Sequence, residues 1–380
     1  MLHAFDVCIH GDGIVGRTLA LLLARDKLRV ALVTGQVAPA TPDVRAYALN
    51  PASQRLLASL RVWPQPDQAT PVLRMQVWGD EGGHLSFDAG EQGCAALNWV
   101  VDVPTLEKNL AEAMRYQAHI VPVQAAPSAA LHVVCEGRAA MNNPQWAQQL
   151  RFAVSPYTQH ALACRVHCAQ AHGQVARQWF VGSAQNASVL ALLPLDGPLG
   201  QTVAVVWSLP PVQAEQLIQQ TPQAFAQALQ SACDQALGEM SLCSERSQWP
   251  LQSMQATPWV GPGWAVAGDA AHNLHPLSGQ GLNLGLADAQ QLASTLAARE
   301  YWRGLGDWRL LRRYERARKA DMAAITWATD GLQRLFTRAD SGSQKLRNWG
   351  FNQFDRSNLI KTWAVRLALG EPVLAAPLTD

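Results

Sequence analysis

An α/β protein in two parts is the fold class this sequence predicts, and three observations predict it. An apolar run, Phe5-Asp6-Val7-Cys8-Ile9-His10, leads into Gly11-x-Gly13-x-x-Gly16 and then into a helical pattern ending near Arg25. This is strand, tight turn and helix in succession. The same succession returns late in the chain, where Trp264-Ala265-Val266-Ala267 feeds Gly268-Asp269, a loop with Pro276, Gly279 and Gly281, and then Leu282, Leu286, Ala289, Leu292 and Leu296 at helical spacing. Finally, 380 residues exceed what one hydrophobic core usually holds, so two domains are expected.

The N-terminal glycines sit in the setting that a dinucleotide fingerprint requires. Gly11 makes the turn, Gly13 admits a pyrophosphate, and Gly16 lets helix and strand approach. Leu28 to Val33 reads as the second strand. It should end in an acid that holds a ribose, but Thr34 stands there. A hydroxyl in place of a carboxylate weakens that anchoring by roughly 1 kcal/mol. Pro39 to Asp43 is a turn-rich connector. Arg45-Ala46-Tyr47-Ala48-Leu49-Asn50 follows, then an apolar-periodic helix to about Val62.

Val72 to Trp78 and His84 to Phe87 are strands around a Gly82-Gly83 turn. Trp99 to Val103 is a short apolar run that Pro104 ends, and Thr105 to Met114 is a helix. Leu131 to Glu136 is the one strand expected between Ile120 and Gly137, with Glu136-Gly137 closing it. Ala161 to Cys168, Gln178 to Val181, Ser188 to Leu193 and Thr202 to Trp207 run or alternate at strand length. Pro194-Leu195-Asp196-Gly197 is a turn, and Pro211 to Leu237 carries a helical pattern. Asp307 to Lys319 is basic, which reads as a solvated helix face or, alternatively, as a docking surface for a membrane or partner protein. Ala323 to Phe336 continues as helix, and the tail after Ser341 is aromatic-rich.

Composition excludes several classes. Apolar residues make up 48% of the chain and charged residues 16%, so it folds around a large interior. A net charge of +1 offers no footprint for nucleic acid. The seven cysteines show no disulfide spacing, which suits a reducing cytoplasm. Cys164 and Cys168 flank His167 without a second ligand pair at zinc spacing, so no metal is expected. Glycines and charges interrupt the N-terminal apolar stretch, so neither a signal peptide nor a spanning helix is expected.

The stretch Gly268 to Asp288, GDAAHNLHPLSGQGLNLGLAD, is the most specific in the chain. Its glycines allow backbone to approach a flat ligand, and a helix start aims N–H groups at an anion. It resembles the flavin motif of single-component aromatic hydroxylases, in the branch of the ubiquinone-biosynthesis hydroxylases. The resemblance implies that FAD is the cofactor and that Asp269 binds the ribityl chain. It places Pro276, Gly279, Gln280 and Gly281 against the isoalloxazine ring, with Pro276, Gly279 and Gln280 as the catalytic candidates. It gives the amides around Leu282 and Asn283 the reduced ring's negative edge. Gly11, Gly13, Gly16, Thr34, Arg45, Glu136 and Gly268 complete the implied cofactor set, Glu136 where the family has Asp.

The same resemblance implies a Rossmann-like, three-layer FAD-binding domain with an inserted α+β substrate domain on a mixed or antiparallel sheet. The implied FAD-binding segments are 1–71, 100–154 and 253–338, the substrate segments 72–99 and 155–252, and a helical appendage 339–380. It implies hydroxylation of a polyprenyl phenol in ubiquinone biosynthesis through a flavin hydroperoxide, with NAD(P)H and O2 as co-substrates. Other quinone-biosynthesis proteins are the partners such a protein would have. Its expected place is the cytoplasm, with at most peripheral contact at the inner face of the membrane. The alternative is an accessory subunit that keeps the fold and organises a biosynthetic complex, which Thr34, Glu136 and the shortened 120–137 region motivate. A plain NAD-dependent dehydrogenase is the third reading, and the glycine-rich loop after Asp269 argues against it.

Overall fold

The structure is a computed structural model that describes residues 3–35, 43–79, 83–181, 188–273 and 280–337, with side chains up to residue 323. The connector 36–42, Gly82, His275, Pro276, Gly279 and the tail after Ser341 lie outside the described residues.

Three sheets form the molecule. The first holds β1 (Phe5–His10), β2 (Val30–Val33), β8 (Ile120–Val123), β9 (Ala129–Val134), β16 (Val260–Gly261) and β17 (Trp264–Val266). Their spatial order is β16-β17-β9-β1-β2-β8, and every pairing from β17 to β8 is parallel. Parallel strands need long crossovers and burial on both faces, which explains their near-continuous apolar runs. One face carries α1 (Ile14–Arg25) and α6 (Gly281–Ala297), while α7 (Trp308–Thr337) packs against α6 and β16. Val7, Ile9, Leu32, Leu131, Val133, Leu286 and Tyr314 belong to this common core.

A small antiparallel sheet follows, in the order β3 (Ala46–Leu49), β7 (Asn98–Asp102), β4 (Ala69–Val72). After it the chain turns into α2 (Pro51–Ser59), capped by Asn50, and α3 (Val103–Arg115), capped by Asp102. The third sheet is mixed. It contains β5 (Arg74–Trp78), β6 (His84–Asp88), β10 (Arg151–Cys168), β11 (Val175–Val181), β12 (Ser188–Pro194), β13 (Thr202–Leu209), β14 (Met240–Leu242), β15 (Ser247–Thr257) and β18 (His272–Asn273). Its own core, built on Leu162, Cys164, Leu192, Trp207 and Phe225, lies against α4 (Pro211–Gln219) and α5 (Pro222–Ala232). This is the α/β architecture expected, a three-layer parallel domain joined to an α+β part on a mixed sheet.

Three expectations need correction. The helical pattern from Pro211 to Leu237 is two helices, because Pro222 cannot continue the first and Thr221 caps the second through Ala224 N–H at 3.2 Å. Two strands, not one, lie between Ile120 and Gly137, and Pro122 is tolerated because β8 is an edge strand. Strand β10 begins at Arg151 rather than Ala161. Its first half is mostly exposed, lacks alternation and contains Pro156, after which the pairing with β15 shifts register, so no apolar period announced it. Both β10 and β15 run through the residues where domain boundaries were expected, at 154/155 and 252/253.

Candidate cofactor site

Four parallel strands lie side by side in the order β17-β9-β1-β2, and each delivers one of the sequence motifs at its carboxyl end. β17 leads to Gly268-Asp269, β9 to Glu136-Gly137, β1 to Gly11 through Gly16, and β2 to Thr34. The carboxyl edge of an open parallel sheet is where such folds bind ligands, because helix N-termini and tight turns collect there.

The turns are shaped by glycine where the backbone demands it. Gly11 has φ +105°, and a Cβ there would meet Cys135 O at 2.7 Å. A Cβ on Gly16 would run into Gly11 O. Gly13 differs, since its Cβ position has no neighbour within 4 Å. Gly13 is also the N-cap of α1, and no side chain caps that helix. Open space over uncapped N–H groups is a cradle for a phosphate. We therefore expect Gly16→Ala to destabilise the fold by about 1–3 kcal/mol through overpacking. Gly13→Ala should melt like wild type yet bind FAD roughly tenfold more weakly, about 1.4 kcal/mol. Thermal melts and flavin titrations of the two variants check the split.

Asp269 lies in a 3₁₀ turn, Gly268–Ala270, that bends after β17. A Cβ added to Gly281 would lie 3.9 Å from Asp269 Oδ1, so the start of α6 borders the carboxylate. Burial pushes Asp269 above the ordinary carboxylate range, opposed by His272, Arg138 and Arg45. Among the described residues no hydrogen bond reaches its half-buried side chain, and a free acceptor of that kind fits a ribityl hydroxyl. Close packing of α1 on α6 holds the turn in place: a Cβ on Gly285 would meet Val15 Cγ2 at 2.7 Å.

The other candidates divide by what their side chains touch. Asn283 is buried; its Oδ1 accepts from Asn50 N–H at 3.0 Å and its Nδ2 donates to Ala48 O at 2.9 Å. Its side chain thus ties α6 to the small sheet, and Leu282 is turned into the core. Only their main-chain N–H groups remain for a ligand. Gln280 is the uncapped N-cap of α6. Arg45 donates to Asp43 at 2.9 and 3.0 Å, and Nη1 lies 3.5 Å from the Tyr47 hydroxyl. Tyr47 titrates above its ordinary value through burial, and both Arg45 and Asp269 act on it. Glu136 accepts from Asn143 Nδ2 at 2.9 Å. Thr34 Oγ1 accepts from Gln124 Nε2 at 3.4 Å. Pro276 and Gly279 lie outside the described residues.

Sequence reasoning missed Tyr47 and Arg138, and it missed the support behind the turn. Asp288, fully buried on α6, accepts from Gly268 N–H at 2.8 Å, lies 2.7 Å from His272 Nε2, and accepts from Arg318 Nε at 2.6 Å. His272 stacks on Trp259 with ring centres 5.2 Å apart. Arg318 belongs to the basic run read as a solvated face, but it is only 4% exposed. A charge count in sequence does not distinguish the one arginine whose helical phase turns it inward.

Residues 128–329 match the family described as FAD binding domain. The chain is 29% identical to the 3-demethoxyubiquinol 3-hydroxylase of Escherichia coli K12, over 96% of this chain and 98% of that protein. It is 27% identical to the ubiquinone hydroxylase UbiL of Rhodospirillum rubrum, over 96% and 89%. Its fold is similar to that of p-nitrophenol 4-monooxygenase PnpA from Pseudomonas putida, with a TM-score of 0.73 at 17% identity, covering 98% of this chain and 100% of that one. A strand edge built of glycine turns, an uncapped helix start and a half-buried carboxylate agrees with that match: the chain belongs to the FAD-binding domain family, as an FAD-dependent monooxygenase with FAD as its cofactor.

Proposed function

We propose that the enzyme hydroxylates the aromatic ring of a polyprenyl phenol in ubiquinone biosynthesis, using NAD(P)H and O2. The observation that carries this reading is the convergence of four strand ends on one carboxyl edge, in a chain that matches named ubiquinone hydroxylases over nearly its whole length. When bound, FAD supplies the redox chemistry, taking electrons from NAD(P)H and placing one oxygen atom of O2 on the ring. The chain's own groups bind and orient. The N–H groups of α1 around Gly13 would hold the pyrophosphate, Asp269 the ribityl hydroxyls, and the first N–H groups of α6 the pyrimidine edge of the ring. Pro276, Gly279 and Gln280 would lie against the ring face. Edge strand β18, paired with β15 at Met254↔Asn273, carries the mixed sheet to within three residues of Asp269. That sheet would wall the reaction off from water.

Among the described residues no helix is long and apolar enough to cross a membrane. A prenylated substrate would then be met at the inner membrane face or delivered by partner proteins. The accessory-subunit reading draws on Glu136, whose carboxylate is held by Asn143.

One experiment separates them. Purified protein is loaded with FAD and incubated with NADH or NADPH, a prenylated phenol and 18O2. The hydroxylase reading expects about one FAD per chain and one 18O atom in the ring product. Bound FAD without labelled product supports the accessory reading. A colourless protein that takes up no FAD overturns the hydroxylase reading.

A further inference from the structure

On the face of the first sheet opposite α1, one patch is unlike its surroundings. Alternation along β1 puts Cys8 and His10 on that face, and β9 pairs His132 directly beside Cys8. His10 Nε2 lies 3.0 Å from His132 Nδ1 and 3.8 Å from Cys8 Sγ, and the three ligand atoms all fall within 4.8 Å of one another. Cys8 and His10 are buried and His132 is half-buried. Around them the layer is apolar, with Phe5, Ala31, Val33 and Ala129, and the edge of Trp146 meets the His10 ring at 5.0 Å.

We propose that Cys8, His10 and His132 form a zinc site with a solvent molecule in the fourth position. Two imidazoles and one thiolate are a donor set suited to Zn2+, whose bonds run about 2.0–2.1 Å to nitrogen and 2.3 Å to sulfur. Tetrahedral coordination then separates nitrogen from nitrogen by about 3.4 Å and nitrogen from sulfur by about 3.6 Å. Two of the three separations need only a few tenths of an ångström of adjustment. Half-exposed His132 is the side from which the ion and its solvent ligand enter. On binding, the Cys8 S–H bond breaks, the zinc–sulfur bond forms and the proton leaves to solvent; the proton lying between the two imidazoles shifts to the far nitrogen of the ring that carried it, so each neutral ring offers the ion a lone pair. The ion would clamp β1 to β9 beneath the glycine turn.

The test uses FAD-loaded protein and Zn2+ alone, buffered with a chelator of known affinity. About one zinc per chain should survive desalting, X-ray absorption should show one sulfur and two imidazole nitrogens, and the melting temperature should rise with zinc. Cys8→Ala and His132→Gln should each weaken zinc by at least about a hundredfold while the flavin spectrum stays unchanged. If neither variant folds, absorption on the wild type alone still decides. No retention, a first shell without sulfur, or equal retention by folded variants means an adventitious ion only and overturns the proposal.

Discussion

Replacing Arg318 with methionine should lower the unfolding free energy by about 3–5 kcal/mol, because it takes the permanent charge away from a fully buried carboxylate and leaves it only His272 and the Gly268 N–H. Asp288 is fully buried and Arg318 is 4% exposed, so neither is compensated by water. Burial by itself drives Asp288 upward, but His272 and Arg318 outweigh it through charge and hydrogen bonds and hold it below the ordinary range. Arg313→Met, one turn earlier on α7, is the control. It breaks a 2.6 Å pair with Glu300, but Arg313 is 44% exposed, and such pairs contribute about 0–1 kcal/mol.

The effect has a pH signature. A depressed folded-state value means that Asp288 contributes stability above its unfolded pKa of about 3.9, and that this is lost as pH falls through the lower folded value. In Arg318→Met the folded value moves up, because only His272 then opposes the burial, so the variant loses less on acidification than wild type does. The gap between wild type and variant should therefore be widest at neutral pH and narrow below about pH 4. Melts at pH 7 and at about pH 3 measure it. Equal gaps at both would mean that lost packing, not the stranded charge, sets the loss.

Asp269→Asn should divide stability from binding. Desolvation raises the Asp269 carboxyl above its ordinary value. A carboxyl raised in the folded state costs stability as pH climbs past the unfolded value, so removing the charge should leave the cofactor-free protein as stable as wild type at pH 7, or more so. Binding should move the other way. An amide replaces a charged acceptor for ribityl hydroxyls, and charged hydrogen bonds contribute about 1.5–3 kcal/mol, roughly 10- to 150-fold in FAD affinity. Flavin titration beside calorimetry of the cofactor-free form reads both. Unchanged FAD affinity would remove Asp269 from the site. Functional groups kept at a cost to stability are what a binding crevice requires.

Much of the architecture was legible in local pattern. The glycine turn after β1, the strand at Trp264–Val266 and the helix from Gly281 each follow from neighbours in sequence, because apolar period and turn chemistry act over a few residues. Where locality failed, the reason is specific. Arg151–His160 of β10 mixes apolar and polar residues without alternation, buries no face, and is held by its partner β15, so it could not announce itself by period. Arg318 looked like its neighbours until helix phase buried it against a residue thirty positions away.

The sequence by itself determined which residue types are available for an FAD site and in what order the chain presents them. Only the tertiary structure decided which of them meet. Parallel pairing in the order β17-β9-β1-β2 is long-range, and it sets Asp269 beside Gly137 and the glycine turn, buries Asp288 behind them, and lays His132 against Cys8. No spacing along the chain encodes those neighbours, because they are fixed by strand register and by close packing of helices on glycine.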